Sequence, residues 1–227
     1  MTGRPDPEVY IVDVCGTLVL EDTTLGLLRH HFAKDTERPL RGWLFDTVCS
    51  RRTLPWWTFA VAEKLTGQHL LKRFAVRLLA GECREALDAS AHEYARKLLA
   101  DRRIDPVWQV LEEPFATGRV VLASASLDPV VAALASLTGA RYVASTLQQH
   151  DGILSGCYET DLTGLKHQAL VEKYGEDLLE RPIGVMTDNA SDRRLVERAS
   201  VAYIVLHKAA HRDRWQGVGA NFIEIGS

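Results

Sequence analysis

Six short apolar runs carry strand character without alternating polar and apolar residues. They are VYIVDV (9–14), RVVLASA (119–125), RYVAS (141–145), PIGVMT (182–187), VAYIVL (201–206) and NFIEIG (221–226). A strand that is apolar on both sides must be buried on both sides, the condition of a parallel sheet covered by helices. Helical stretches at 129–137, 166–174 and 192–199 separate the later runs, with Gly139 and Gly175 where helix stops are expected. Strand, helix, strand, helix predicts an α/β domain: a Rossmann-like three-layer core with a mainly parallel sheet.

The stretch from 23 to 107 has no comparable run. In LLKRFAVRLLAGECREALDASAHEYARKLLA (70–100) apolar residues recur at three- and four-residue spacing, as at Leu71, Phe74, Ala75, Leu78 and Leu79. This predicts a helical cap, residues 23–107, inserted into a core made of 1–22 and 108–227. A chain of 227 residues, 46% hydrophobic and 25% charged, is long enough for both. The net charge of -3, with no long basic tract, argues against nucleic acid as a partner. Cys15, Cys49, Cys83 and Cys157 are scattered, as in a protein with reduced thiols. No run reaches the ~18 apolar residues of a spanning helix, and a cytoplasmic protein is expected.

Open parallel sheets carry their sites at the carboxyl ends of the strands. After the first run come Asp13, Gly16 and Thr17, after the second Ser124, and after the fourth Asp188 and Asp192; Lys166 opens a helix between these last two runs. One Asp at a strand end means little, whereas four polar marks in this order form a pattern. It resembles the haloacid dehalogenase superfamily of phosphohydrolases, over Val9 to Leu20 and about Arg119 to Leu206. DGILSGCYETDLTGLKHQAL (151–170) is similar to the hairpin and lysine-bearing helix of the phosphoserine-phosphatase-like branch, whose cap lies between the first and second motifs.

The resemblance implies a magnesium-dependent enzyme acting on a small phosphorylated substrate. Asp13 would be the nucleophile that forms an aspartyl phosphate. Asp13, Asp188 and the backbone carbonyl of Cys15 would hold Mg2+, with Asp192 holding a metal-bound water or orienting Lys166. Ser124 and Lys166 would bind phosphoryl oxygens, and the amides around Val14 and Ala125 would complete the cradle.

Cys15 departs from the pattern. Two residues after the nucleophile the family's phosphatases usually carry an Asp, which protonates the leaving oxygen. A thiol is a weak donor with a reference pKa of ~8.5. Losing that acid–base help is worth roughly 10²–10⁴ in rate. A carbonyl does not depend on its side chain, so the metal site need not be lost. Cys15 thus leaves open a slow phosphatase, a phosphotransferase, a non-catalytic binder of phosphorylated ligands, or a dehalogenase- or phosphonatase-like hydrolase. The cap histidines His30, His31 and His92 are available as substitute acids, but none stands out.

The cap's first part contains Trp43, Phe45, Trp56, Trp57 and Phe59 among Arg38, Arg41, Arg51 and Arg52. The simpler account is a helical core with solvated arginines. The sharper one is an aromatic, basic face for a large phosphorylated substrate or a lipid surface. Substrate and oligomeric state are not legible in the sequence.

Overall fold

The computed structural model describes residues 5–34, 38–50, 53–67 and 69–225. Seven strands form one sheet in the order β4-β3-β2-β1-β5-β6-β7. The strands are β1 (Val9–Val12), β2 (Val120–Leu127), β3 (Arg141–His150), β4 (Ile153–Thr160), β5 (Ile183–Thr187), β6 (Val201–Leu206) and β7 (Asn221–Glu224). All neighbours run parallel except β3 and β4, which are antiparallel.

The six apolar runs are six of these strands. Gly226, at the end of the last run, lies outside the described residues. The lack of alternation has the expected cause. Val9 and Ile11 of β1, Val121 and Ala123 of β2, and Ile183 and Val185 of β5 join one hydrophobic cluster. Val12, Val120, Leu122 and Met186, of opposite parity, join a second cluster on the other face. The first is closed by α8 (Lys166–Tyr174), α9 (Asp177–Glu180) and α10 (Arg193–Arg198). The second is closed by α7 (Asp128–Thr138) and by helices inserted between β1 and β2.

That insertion contains α1 (Thr23–Phe32), α2 (Pro39–Cys49), α3 (Leu54–Thr66), α4 (Leu70–Arg77), α5 (Arg84–Asp101) and α6 (Asp105–Ala116). Leu71, Ala75 and Leu79 are buried, with Phe74 and Leu78 packed beside them, as their spacing requires. The 70–100 pattern is nevertheless two helices. The chain between α4 and α5 leaves helical geometry to pair with β4: the Gly81 amide donates to the Leu154 carbonyl (2.8 Å), the Leu154 amide to Glu82 (2.9 Å) and the Arg84 amide to Gly152 (2.8 Å). The expected cap limit at 107 falls within α6, which starts with Pro106 in its first turn and continues against β2.

β4 lay unmarked by any apolar run, because its burial is interrupted and its end exposed. Its hairpin with β3 turns at Asp151 and Gly152, both at positive φ (49° and 78°), the Asp-Gly preference of a tight two-residue turn.

Candidate active site

β2, β1 and β5 are adjacent and in parallel register, Leu122 beside Val12 and Val12 beside Met186. Asp13 and Asp188 therefore emerge side by side at one end of the sheet, and Ser124, within the longer β2, lies level with them. The Asp13 amide extends the ladder by donating to the Met186 carbonyl (2.9 Å). Beyond it the chain folds tightly: the Leu18 and Val19 amides both donate to the Val14 carbonyl (3.0 and 3.1 Å), and the Gly16 amide donates to Val19 (2.9 Å). Gly16 has φ +72°, and a Cβ there would lie 2.4 Å from Asp188 Oδ2. The glycine thus permits both the left-handed backbone and the close approach of the Asp188 carboxylate.

Asp13 is buried and held at both oxygens. Oδ1 accepts from the Val14 amide (2.7 Å) and Oδ2 pairs with Lys166 Nζ (2.8 Å). Lys166 Nζ also donates to Asp192 Oδ2 (2.8 Å), which accepts from Thr187 Oγ1 at the same distance. Asp192 is thus a hydrogen-bond partner of the lysine. Burial raises the Asp13 carboxyl to about 6 against the opposing pull of Lys166, and the neighbouring charges of Asp192 and Asp188 add to the rise. For Lys166, burial favours the neutral amine, but the two carboxylates outweigh it and hold the ammonium charged.

Asp188 accepts from Thr17 Oγ1 (3.2 Å) and lies 3.3 Å from His207 Nε2. Burial raises its carboxyl, with His207 acting the other way. His207 Nε2 donates to the Gly16 carbonyl (2.7 Å). Ser124 Oγ, also buried, accepts from the Ser126 amide (3.2 Å). Ala125 offers its carbonyl to Ser145 Oγ (3.0 Å), which in turn accepts from the Leu162 amide (3.0 Å) and ties β2 to the chain leading into α8.

Cys15 Sγ lies 3.0 Å from both Thr23 Oγ1 and Ser126 Oγ, and Thr23 Oγ1 donates to Ser126 Oγ (2.7 Å). The thiol is thus part of a small hydroxyl cluster joining β1, α1 and β2. Burial pushes its pKa up, and the Asp22 charge adds to this while Lys72 opposes it. It is a neutral thiol near pH 7.

A cavity of about 930 Å³ opens between the strand ends and the inserted helices, lined on the core side by Cys15, Gly16, Asp188 and His207. Asp13, Ser124 and Lys166 are buried and do not line it; Lys166 and Asp192 border a smaller cavity of about 120 Å³. On the helical side stand Asp22 and Lys72, paired at 3.2 Å, with Arg29 and His69. Burial favours a neutral Lys72, but Asp22 outweighs it and raises the amine's pKa. Of the cap histidines considered from sequence, none lines this cavity: His31 is buried on Ser90 (2.9 Å), His30 faces a smaller pocket and His92 is exposed. The histidines at the cavity are His69 and His207. His207 was findable, since it directly follows the apolar run 201–206. Thr23 and Lys72 carry no sequence signal.

Among the described residues no group of three or more His, Cys, Asp or Glu side chains is arranged to hold a metal. A site of two carboxylates and one backbone carbonyl would not form such a group. Its donors, on Asp13, Asp188 and Cys15, are all hard oxygens, the set that suits Mg2+. Both carboxyls are raised by burial, a cost that a cation beside them would relieve. The residues present fit the ion.

This fold, with its polar strand ends beneath a helical insertion, has relatives. The chain belongs to the haloacid dehalogenase-like hydrolases, whose family model matches residues 11–197. A comparison with curated proteins found no match. Among solved structures, a protein of unknown function from Bordetella pertussis Tohama I is 18% identical, with a TM-score of 0.74 over 96% of this chain and 99% of the other. Cytosolic 5'-nucleotidase IIIB bound to cytidine is 16% identical, with a TM-score of 0.65 over 95% and 80%. A phosphoserine phosphatase in its apo form is 16% identical, with a TM-score of 0.57 over 96% and 94%. At such identities these three establish likeness of fold.

Proposed function

We propose that the chain is a magnesium-dependent phosphohydrolase or phosphotransferase that takes a phosphoryl group from a small phosphorylated metabolite onto Asp13. The observation that carries this reading is the Asp13 carboxylate at the end of β1, fixed between the Val14 amide and Lys166, with the carboxylate of Asp188 on the neighbouring strand end. Asp13, Asp188 and the Cys15 carbonyl would hold Mg2+, which would supply charge to offset the repulsion between a carboxylate and a phosphate.

Lys166 keeps Asp13 ionised and gives positive charge to phosphoryl oxygens, while Ser124 offers a hydroxyl to another. The Asp13 oxygen forms the new bond to phosphorus as the substrate's ester oxygen leaves with the bonding pair. That oxygen needs a proton, and the nearest side chain of this motif is the neutral thiol of Cys15. A weak donor suits substrates whose leaving groups need little help, such as acyl or aryl phosphates. The same deficit slows attack by water on the aspartyl phosphate, which favours transfer to a second acceptor.

The test is phosphate release from sugar, amino-acid, aryl and acyl phosphates, with Mg2+ and with chelator. Weak, metal-dependent release biased toward good leaving groups is expected. Asp13→Asn removes the nucleophile and is expected to abolish release. Full activity in that variant, or activity indifferent to chelator, would overturn the reading.

A further inference from the structure

His207 is the first residue after β6. β6 runs parallel to β5, with Thr187 beside Ile204, so His207 leaves the sheet at the same end as Asp188. The segment that carries it is braced. The Ile225 amide donates to the Leu206 carbonyl (3.1 Å). Arg193, which follows Asp192, donates to the carbonyls of Arg214 (3.2 Å) and Gln216 (3.0 Å). Trp215 between them is buried. A side chain on so fixed a backbone can hold its neighbours in place.

The imidazole reaches two separate parts of the proposed cation site. Nε2 lies 2.7 Å from the Gly16 carbonyl and 3.3 Å from Asp188 Oδ2. A carbonyl can only accept, so Nε2 carries the proton in this contact and has no lone pair to offer a cation. His207 is therefore placed to orient ligands, not to be one. On the turn, the Gly16 amide donates to the Val19 carbonyl (2.9 Å). No peptide bond among the described residues is cis, so the Cys15 carbonyl is directed opposite that N–H. Gly16 is thus pinned through its amide by Val19 and through its carbonyl by His207. On Asp188, Thr17 Oγ1 donates to Oδ1 (3.2 Å), while His207 stands at Oδ2. Only a residue without a side chain leaves room for this: a Cβ on Gly16 would lie 3.0 Å from His207 Nε2 as well as against Asp188.

We infer that His207 is a positioning residue for the cation site, joining the Asp188 carboxylate to the turn that bears the Cys15 carbonyl and holding the two at one spacing. The inference rests on the proposed Mg2+ site of Asp13, Asp188 and Cys15. Hydrogen-bond partners of metal ligands set the ligands' orientation, and losing one typically lowers metal affinity by about 10–100-fold.

The experiment is titration of the full chain with Mn2+, a paramagnetic stand-in for Mg2+, at one fixed pH, with the free ion read by electron paramagnetic resonance. His207→Ala is expected to weaken Mn2+ binding by about 10–100-fold with unchanged circular dichroism. His207→Gln, whose amide can donate at a similar reach, is expected to bind within about threefold of the wild type. His207→Asn, too short to reach Gly16, is expected to match the alanine variant and takes its place if that variant does not fold. In phosphate release from an aryl phosphate, the Mg2+ concentration for half-maximal rate is expected to rise in the short variants, and saturating Mg2+ to restore most of the rate. A merely structural histidine would lower the melting temperature and leave the affinity of the folded protein unchanged; that result overturns the inference, as does a glutamine variant no tighter than alanine. Asp188→Asn separates the two readings. If it binds Mn2+ like the wild type, the proposed cation site itself fails. If it loses binding while the short His207 variants keep theirs, only the role given to His207 fails.

Discussion

The end of the sheet and the α2–α3 face treat their demanding side chains in opposite ways. At the sheet end, charged groups are buried or half-buried and each carboxylate has partners: Asp13 on Val14 and Lys166, Asp192 on Lys166 and Thr187, Asp188 on Thr17 and His207. On α3, large apolar groups stand in solvent without a core to enter. Each arrangement runs against the usual burial preference of its residue types. The first works because a buried charge can be stabilised by fixed partners. The second has no such compensation inside the chain.

The largest effect expected is from Lys166→Met, which leaves Asp13 and Asp192 as buried carboxylates without their shared cation. Stability in urea is expected to fall by about 3–5 kcal/mol near pH 7.5, and phosphate release by roughly 10²–10³. Without Lys166 the Asp13 carboxyl is raised above the value of about 6 that it has beside the lysine, so the stability penalty shrinks as pH falls toward 6 and shrinks no further on Asp13's account below it. A loss below ~1 kcal/mol, as for an exposed pair, would mean the site is not held as tightly as its contacts indicate.

Cys15→Asp comes next. Thr23 and Ser126 offer hydroxyls where the new carboxyl would sit, and turnover of alkyl phosphates is expected to rise by roughly 10². A fall with the fold and Mg2+ binding intact would give the thiol a positive role. Gly16→Ala sharpens the steric side of the comparison, since its methyl would strain the backbone and push Asp188 away. A loss of about 1–2 kcal/mol is expected, together with weaker Mg2+ protection in a thermal melt. The smallest effect belongs to the exposed side of α3: Leu65→Ser should change stability by no more than about 0.5 kcal/mol. A larger loss would show that α3 depends on that side chain for its own packing.

The sheet was legible because strands buried on both faces leave apolar runs, and Asp13, Ser124 and Asp188 stood out as polar residues within the last residues of such a run or just after it. Lys166 was marked by its place at a helix start. Cys15 was visible only as a departure from a pattern. Its contacts were not, because Thr23 and Ser126 lie 8 and 111 residues away and nothing in local spacing ties them to it.

The sequence by itself therefore determined the parallel core, the helical insertion and the order of the polar marks, since each depends on short-range periodicity or on position after a strand. Tertiary structure alone decided which hydroxyls surround the thiol, that His207 reaches Gly16 and Asp188, that the α4–α5 connection pairs with β4, and which tryptophans face solvent. These depend on how distant segments close on one another. Burial is a property of the assembled packing, so the same Trp-Trp pair can put Trp56 toward the cavity and Trp57 into water.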